Sequence, residues 1–267
     1  MKAQAGFEPH ITTLGQGARR VLALHCTMAF GGAWGGVVNA LGASVSLIAP
    51  DMPSHGKSVD WDEVSDFGET VYQASMAALD AGPMDVIGHS FGAATALRMA
   101  VENPERIRSL TLFEPVFFAA ALADGSKALN DDERNLIEME KALELRDFDG
   151  AARAFNGMWS EGSGWEALPE RSRAAMARAV HVVPATKPFL YDDNRNLLAT
   201  GRMEAVRAPT LVMRGAQSLS AITATNAGLA KRLGNAVEVV IEEAGHMAPI
   251  SHPVEVATAI SELFDRS

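Results

Sequence analysis

Six short aliphatic or β-branched runs punctuate the chain: Val21 to Leu24, Val45 to Ala49, Met84 to Ile87, Ser109 to Phe113, Thr210 to Met213 and Ala236 to Ile241. Each is short enough to be a strand buried on both faces. Between most of them the period changes. Trp34 to Leu41, Phe67 to Leu79, Gly92 to Val101, Ala221 to Leu233 and Val254 to Phe264 carry apolar residues at helical spacing, and Pro253 sits where a first helical turn tolerates it. This alternation predicts a mostly parallel sheet with helices on both faces. From Phe117 to Val206 there is no strand candidate, only helix-like pieces at Asp131 to Leu145, Gly150 to Met158, Arg171 to Val182 and Pro188 to Leu198. A separate helical domain would give the same pattern, but the sheet pattern resumes at Pro209-Thr210-Leu211-Val212-Met213, which favours an insertion. Residues 1–116 and 207–267 are therefore expected to form one core, with 117–206 as a helical cap.

Composition narrows the partners. At 267 residues, 48% hydrophobic and 21% charged, the chain is too apolar to be disordered and too mixed to be fibrous. Its 23 Lys and Arg against 33 Asp and Glu give a net charge of −10, which repels phosphate backbones and anionic lipid. A small-molecule substrate is expected, with no nucleic acid and no membrane partner; the sequence does not speak to homo-oligomers. The single cysteine, Cys26, excludes a disulfide framework or a cysteine-built metal site within one chain. With no export signal in the first twenty residues and no apolar run of about 20, the expected location is cytoplasmic.

The chemistry-bearing motif follows the third strong strand, as Gly88-His89-Ser90-Phe91-Gly92 before an Ala-rich helix. Gly-x-Ser-x-Gly between strand and helix reads as a nucleophile elbow, in which the glycines clear a sharp turn and the helix N-terminus points N–H groups at the serine oxygen. The alternative is an ordinary tight turn with an exposed serine.

Three further motifs stand in order with the elbow: Leu24-His25-Cys26-Thr27, Asp51-Met52-Pro53-Ser54-His55-Gly56-Lys57-Ser58, and Ala244-Gly245-His246-Met247-Ala248-Pro249. With them the chain resembles the α/β-hydrolase superfamily over nearly its whole length, as a serine-nucleophile member with a helical lid. The resemblance implies an eight-stranded sheet, Ser90 as nucleophile, His246 as its base, and an oxyanion hole formed by the backbone N–H groups of Phe91 and Thr27. Cys26 stands where the family usually has glycine, which leaves Met28 as the fallback donor. The family's usual aspartate is missing as well: Gly215-Ala216-Gln217-Ser218 follows the strand that normally presents it. Some superfamily members carry the acid after the preceding strand, where this chain has Glu114, and Glu114 is the candidate.

The remaining residues sort by what they could do. His25 and His89 occupy motif positions where a histidine shapes the site, and no His-Glu-x-x-His spacing supports a metal. No cofactor is expected. Gly31-Gly32-Ala33-Trp34 fails the dinucleotide-loop spacing, and its glycines are expected to leave room for substrate. Asp192 and Asp193 are rival acids, or a solvated face; Glu242 and Glu243 are expected to lie on the wrong side of the turn. Met28, Trp34, Phe117, Phe118 and Trp159 are expected to touch substrate, with Phe155, Met158, Trp165 and Phe189 as further possible wall. The implied activity is hydrolysis of a small to medium carboxylic ester or related acyl compound through an acyl-enzyme. Lactone, thioester or carbon–carbon hydrolysis uses the same triad, and a nonhydrolytic receptor could share the fold.

Overall fold

The structure is a computed structural model that describes residues 2–129, 133–160 and 164–267. Seven strands form one sheet: β1 (Ile11–Gly15), β2 (Arg19–Leu24), β3 (Val45–Pro50), β4 (Met84–His89), β5 (Ile107–Phe113), β6 (Thr210–Gly215) and β7 (Ala236–Ile241). Their order is β1-β3-β2-β4-β5-β6-β7, parallel throughout except for β1 against β3. The expected eight strands are corrected to seven among the described residues. Ahead of Ile11 the chain passes Gly6, with φ of 70°, and Pro9, which has no N–H to give a ladder, so no strand extends the β1 edge. β1 itself escaped the hydrophobic pattern because its residues are only half-buried or exposed.

Alternation along the strands divides the core in two. Val21 and Ala23 of β2 and Ile87 of β4 face α1 (Gly35–Leu41) and, at the C-terminal end of the described elements, the helix Pro253–Phe264. Leu22, Leu24, Val86, Leu110 and Leu112 face the opposite layer of α2 (Phe67–Ala77), α3 (Phe91–Glu102) and the helix Ser220–Arg232. Between β5 and β6 the described residues contain no strand. They form α4 (Ala119–Ala123), α5 (Glu133–Glu144), α6 (Phe148–Trp159), α7 (Glu170–Ala179) and α8 (Val183–Leu190). Met139, Ala151, Ala152, Trp165 and Val180 give these helices a small core of their own. The first two residues of the expected Asp131 to Leu145 helix lie outside the described residues. The expected Pro188 to Leu198 helix is replaced by α8 and a run of turns, because the Asp193 carboxylate accepts the N–H groups of Leu197 and Leu198 and diverts the backbone. The helices after β6 are α9 (Ser220–Arg232), α10 (Ala248–Ser251) and α11 (Pro253–Phe264). No described helix is long and apolar enough to cross a membrane.

Candidate active site

β2 lies between β3 and β4, so successive connections leave it in opposite directions, and the crevice beyond the strands' C-terminal ends is where open α/β sheets gather their sites. Every candidate group is presented from that edge: Thr27 after β2, Ser90 after β4, Glu114 after β5, Ser218 after β6 and His246 after β7.

Ser90 stands between β4 and α3 with φ of 56°, a left-handed conformation that a side-chain-bearing residue adopts only when its surroundings hold it there. The flanking glycines explain how. A Cβ on Gly88 would lie 2.5 Å from the Gly92 carbonyl oxygen, and one on Gly92 would lie 2.4 Å from that of Leu24, so neither position accepts a side chain. Ser90 N–H donates to the Phe113 carbonyl, which ties the elbow to the end of β5.

Glu114 is fully buried, also with positive φ. Its Oε2 lies 2.7 Å from His246 Nδ1, while Oε1 accepts the Gly215 N–H at 2.8 Å and the Ser218 hydroxyl. Ser218, in the turn where the family usually has its aspartate, thus hydrogen-bonds the carboxylate supplied by the neighbouring strand. The His246 ring packs against those of Trp159, with centroids 4.2 Å apart, and His89, 4.8 Å apart. His89 Nε2–H donates to the His246 carbonyl. No hydrogen bond joins Ser90 to His246 among the described residues; bonds of this kind are often long before substrate binds.

The turn after β2 is held by imidazoles. His25 Nδ1–H donates to the Cys26 carbonyl and its Nε2 accepts the Met52 N–H. His55 Nε2 accepts the Met28 N–H, so Met28 has no free donor for an oxyanion. Thr27 N–H has no partner among the described residues, and Phe91, as first residue of α3, has no intrahelical acceptor. Burial pushes His25 and His89 below the usual imidazole range and takes His55 down to about 3, with the neighbouring His25 adding to the effect on His55. Burial also pushes the Cys26 thiol up to about 12, which leaves it an inert small hydrophobe beside the turn.

A cavity of about 380 Å³ opens from Ser90, Thr27 and Phe91 into the helical insertion. Of the expected apolar wall, Phe118, Phe155, Met158 and Trp159 line it, joined by Leu136, Leu190 and Tyr191. Phe117 does not: it is fully buried against Phe189 in the main core. Trp165 belongs to the insertion's own core. Trp34 is also away from the cavity, packed into the core on the sheet's other face that α1 and α11 share, and Gly31 is small because a Cβ there would lie 2.5 Å from the Ala49 carbonyl oxygen of β3. Met28 is absent from the cavity lining and packs its side chain against the insertion's core. Pattern alone could not divide these aromatics, since a wall residue and a core residue are equally apolar. Ser218, Gly215 and His55 lie within segments the sequence singled out, but their hydrogen bonds to Glu114 and Met28 had no sequence signal.

The sequence profile of the alpha/beta hydrolase family matches residues 21–259. The chain belongs to the alpha/beta hydrolase family. Lipase LipV of Mycobacterium tuberculosis is 27% identical to this hydrolase over 94% of the chain and 95% of its own length. The pimeloyl-(acyl-carrier protein) methyl ester esterase of Nitrosomonas europaea is 26% identical over 95% and 98% respectively. Among solved structures, an alpha/beta hydrolase from Sphaerobacter thermophilus superposes with a TM-score of 0.69 at 22% identity, covering 99% of both chains.

Proposed function

We propose that this hydrolase cleaves carboxylic esters carrying a small to medium, largely apolar acyl group, through a covalent acyl-enzyme on Ser90. The observation that carries the reading is the buried Glu114–His246 contact of 2.7 Å behind an elbow serine that opens on an apolar cavity. A carboxylate on Nδ1 fixes the tautomer in which Nε2 is a free base, and stabilises the imidazolium that forms. Ser90 Oγ attacks the ester carbonyl as His246 takes its proton, the N–H groups of Thr27 and Phe91 receive the developing oxyanion, and the imidazolium protonates the departing alkoxide. Water then repeats the sequence on the acyl-enzyme, releasing the acid and restoring Ser90. Residues 117–206 act as a cap whose aromatic and aliphatic side chains select the acyl group. The named activities of the lipase and esterase relatives support an ester substrate.

Nitrophenyl esters of graded acyl length test the reading. Turnover is expected for short and medium chains, and Ser90→Ala should lose about 10⁵-fold or more in kcat with an unchanged melting temperature. A fluorophosphonate probe should label wild-type Ser90 and leave Ser90→Ala unmarked. A well-folded Ser90→Ala that keeps a substantial part of the activity would overturn the assignment.

A further inference from the structure

The turn that follows β2 has an unusual construction, with a side-chain-bearing residue in the left-handed region and an imidazole on either side of the residue that faces the cavity. The Cys26 carbonyl accepts His25 Nδ1–H at 2.8 Å and the Ala29 N–H at 3.1 Å. In a planar trans peptide the C=O and the following N–H point in opposite directions, so Thr27 N–H is aimed away from those two donors. It meets no acceptor among the described residues, and Thr27 lines the cavity beside Ser90. The next peptide is held from the other side, where Met28 N–H donates to His55 Nε2 at 2.9 Å. Met28 has φ of 65°, a conformation that costs a side-chain-bearing residue about 1 kcal/mol or more and therefore relaxes unless tethered.

We infer that His55 is the positioning residue of the oxyanion turn: by accepting the Met28 N–H it holds the Thr27 peptide so that its N–H faces the substrate oxygen. The imidazole suits this task because its own orientation is fixed. Nδ1–H donates to the Pro53 carbonyl at 2.8 Å, which leaves Nε2 with only a lone pair to offer, and burial keeps the ring uncharged well below neutral pH. A protonated ring would put a donor against the Met28 N–H. His55 touches no reacting atom in this scheme. It acts through Met28 on Thr27, and a displacement of about 1 Å in such a donor is enough to cost up to roughly 100-fold in rate.

The inference rests on the Ser90-centred reading, and amide isosteres of the imidazole test it. Asn at position 55 can reach the Pro53 carbonyl but falls short of Met28, whereas Gln can present a carbonyl oxygen where Nε2 was. His55→Asn is expected to lower kcat by about 10- to 100-fold with KM within about twofold, and to weaken an alkyl trifluoromethyl ketone, whose adduct carries the oxyanion, by the same factor. His55→Gln should recover most of both. A merely structural role would move stability without that matched loss of kcat and ketone affinity. The inference is overturned if folded His55→Asn keeps kcat and ketone affinity within about threefold of wild type, or if His55→Gln rescues neither. Should both variants fail to fold, amide exchange in the wild-type protein decides: Met28 N–H should be protected like a buried strand amide, and fast exchange there would overturn the inference. An active Ser90→Ala removes the site reading itself. An inert Ser90→Ala beside unaffected His55 variants removes only this inference.

Discussion

Among the described residues, two carboxylates are completely buried, at opposite ends of neighbouring strands. Asp85, near the start of β4, is met by Arg19, Arg108 and the Ser109 hydroxyl. Glu114, just past the end of β5, is met by His246, the Gly215 N–H and the Ser218 hydroxyl. Burial alone would raise the Asp85 carboxyl, but the guanidinium groups of Arg108 and Arg19 and the Ser109 hydroxyl outweigh it and hold the group below the usual carboxylate range. Its partners never change charge, so the cluster is a fixture. Glu114 instead meets a histidine, a side chain whose ring can be neutral or charged, and neutral donors for the rest. In the mechanism proposed above, the same residue chemistry, equally buried, is structural where its counter-charge is permanent and chemical where its partner carries protons.

Conservative substitutions at the two carboxylates should therefore separate. Glu114→Gln keeps the shape and loses the charge that stabilises the imidazolium, and we expect kcat to fall by up to about 10⁴-fold with little change in stability. Asp85→Asn should leave kcat untouched and lower the unfolding free energy by about 2 kcal/mol, less than for a fully buried pair because Arg19 and Arg108 reach solvent. Kinetics and denaturant melts on both variants check this, and a catalytic defect in Asp85→Asn would break the comparison.

The two ends should also differ toward acid. His25, His55 and His89 are uncharged in the folded protein, with folded pKa values below the unfolded value of about 6.5. Their contribution is complete above that value. As pH falls below it the unfolded chain binds protons that the folded one refuses, and stability drops by about 1.4 kcal/mol per pH unit for each histidine until the folded pKa is reached. Asp85 contributes nothing in that window, because both states keep it ionised until the pH nears the ordinary carboxylate range. Chemical melts between pH 7 and 5 should show the decline, and a flat profile would mean that the imidazoles are not held neutral.

The smallest effect concerns Ser218. Removing its hydroxyl in Ser218→Ala deletes one of the three groups on Glu114, and a loss of about tenfold in kcat is expected. Placing the acid there instead sharpens the point: Glu114→Gln combined with Ser218→Asp should regain part of the rate lost by Glu114→Gln alone. Both turns already meet at one carboxylate, so either can present it to His246.

That meeting also shows what the sequence could carry. Six of the seven strands and the strand-turn-helix geometry around Ser90 were legible, because each depends on local period or on a motif with its own backbone geometry, and the resemblance pointed to Glu114, whose carboxylate lies 2.7 Å from His246. β1 was not, since an exposed edge strand needs little hydrophobicity. The fates of Phe117 and Trp34 were invisible for a different reason. Whether an aromatic side chain in a turn or at a helix start meets a cavity or a packed layer depends on what lies opposite, which the local pattern does not say. His55 stood inside a quoted motif, yet the positioning role inferred for it rests on a hydrogen bond to Met28, and nothing in the intervening chain marks that distance.

The register of β5 against β6 has a consequence for how this molecule could change over time. Leu110 to Phe113 pair directly with Thr210 to Met213, and the Glu114 N–H donates to the Met213 carbonyl at 2.8 Å. To the sheet, everything between Phe113 and Thr210 is a loop whose two ends are already stitched together. Closing a loop costs entropy only as the logarithm of its length, so doubling it would cost about 0.6 kcal/mol. Whole helices can be gained, lost or exchanged in that interval at less expense than one cavity in the core, which makes the stretch between β5 and β6 the part of this hydrolase most open to replacement.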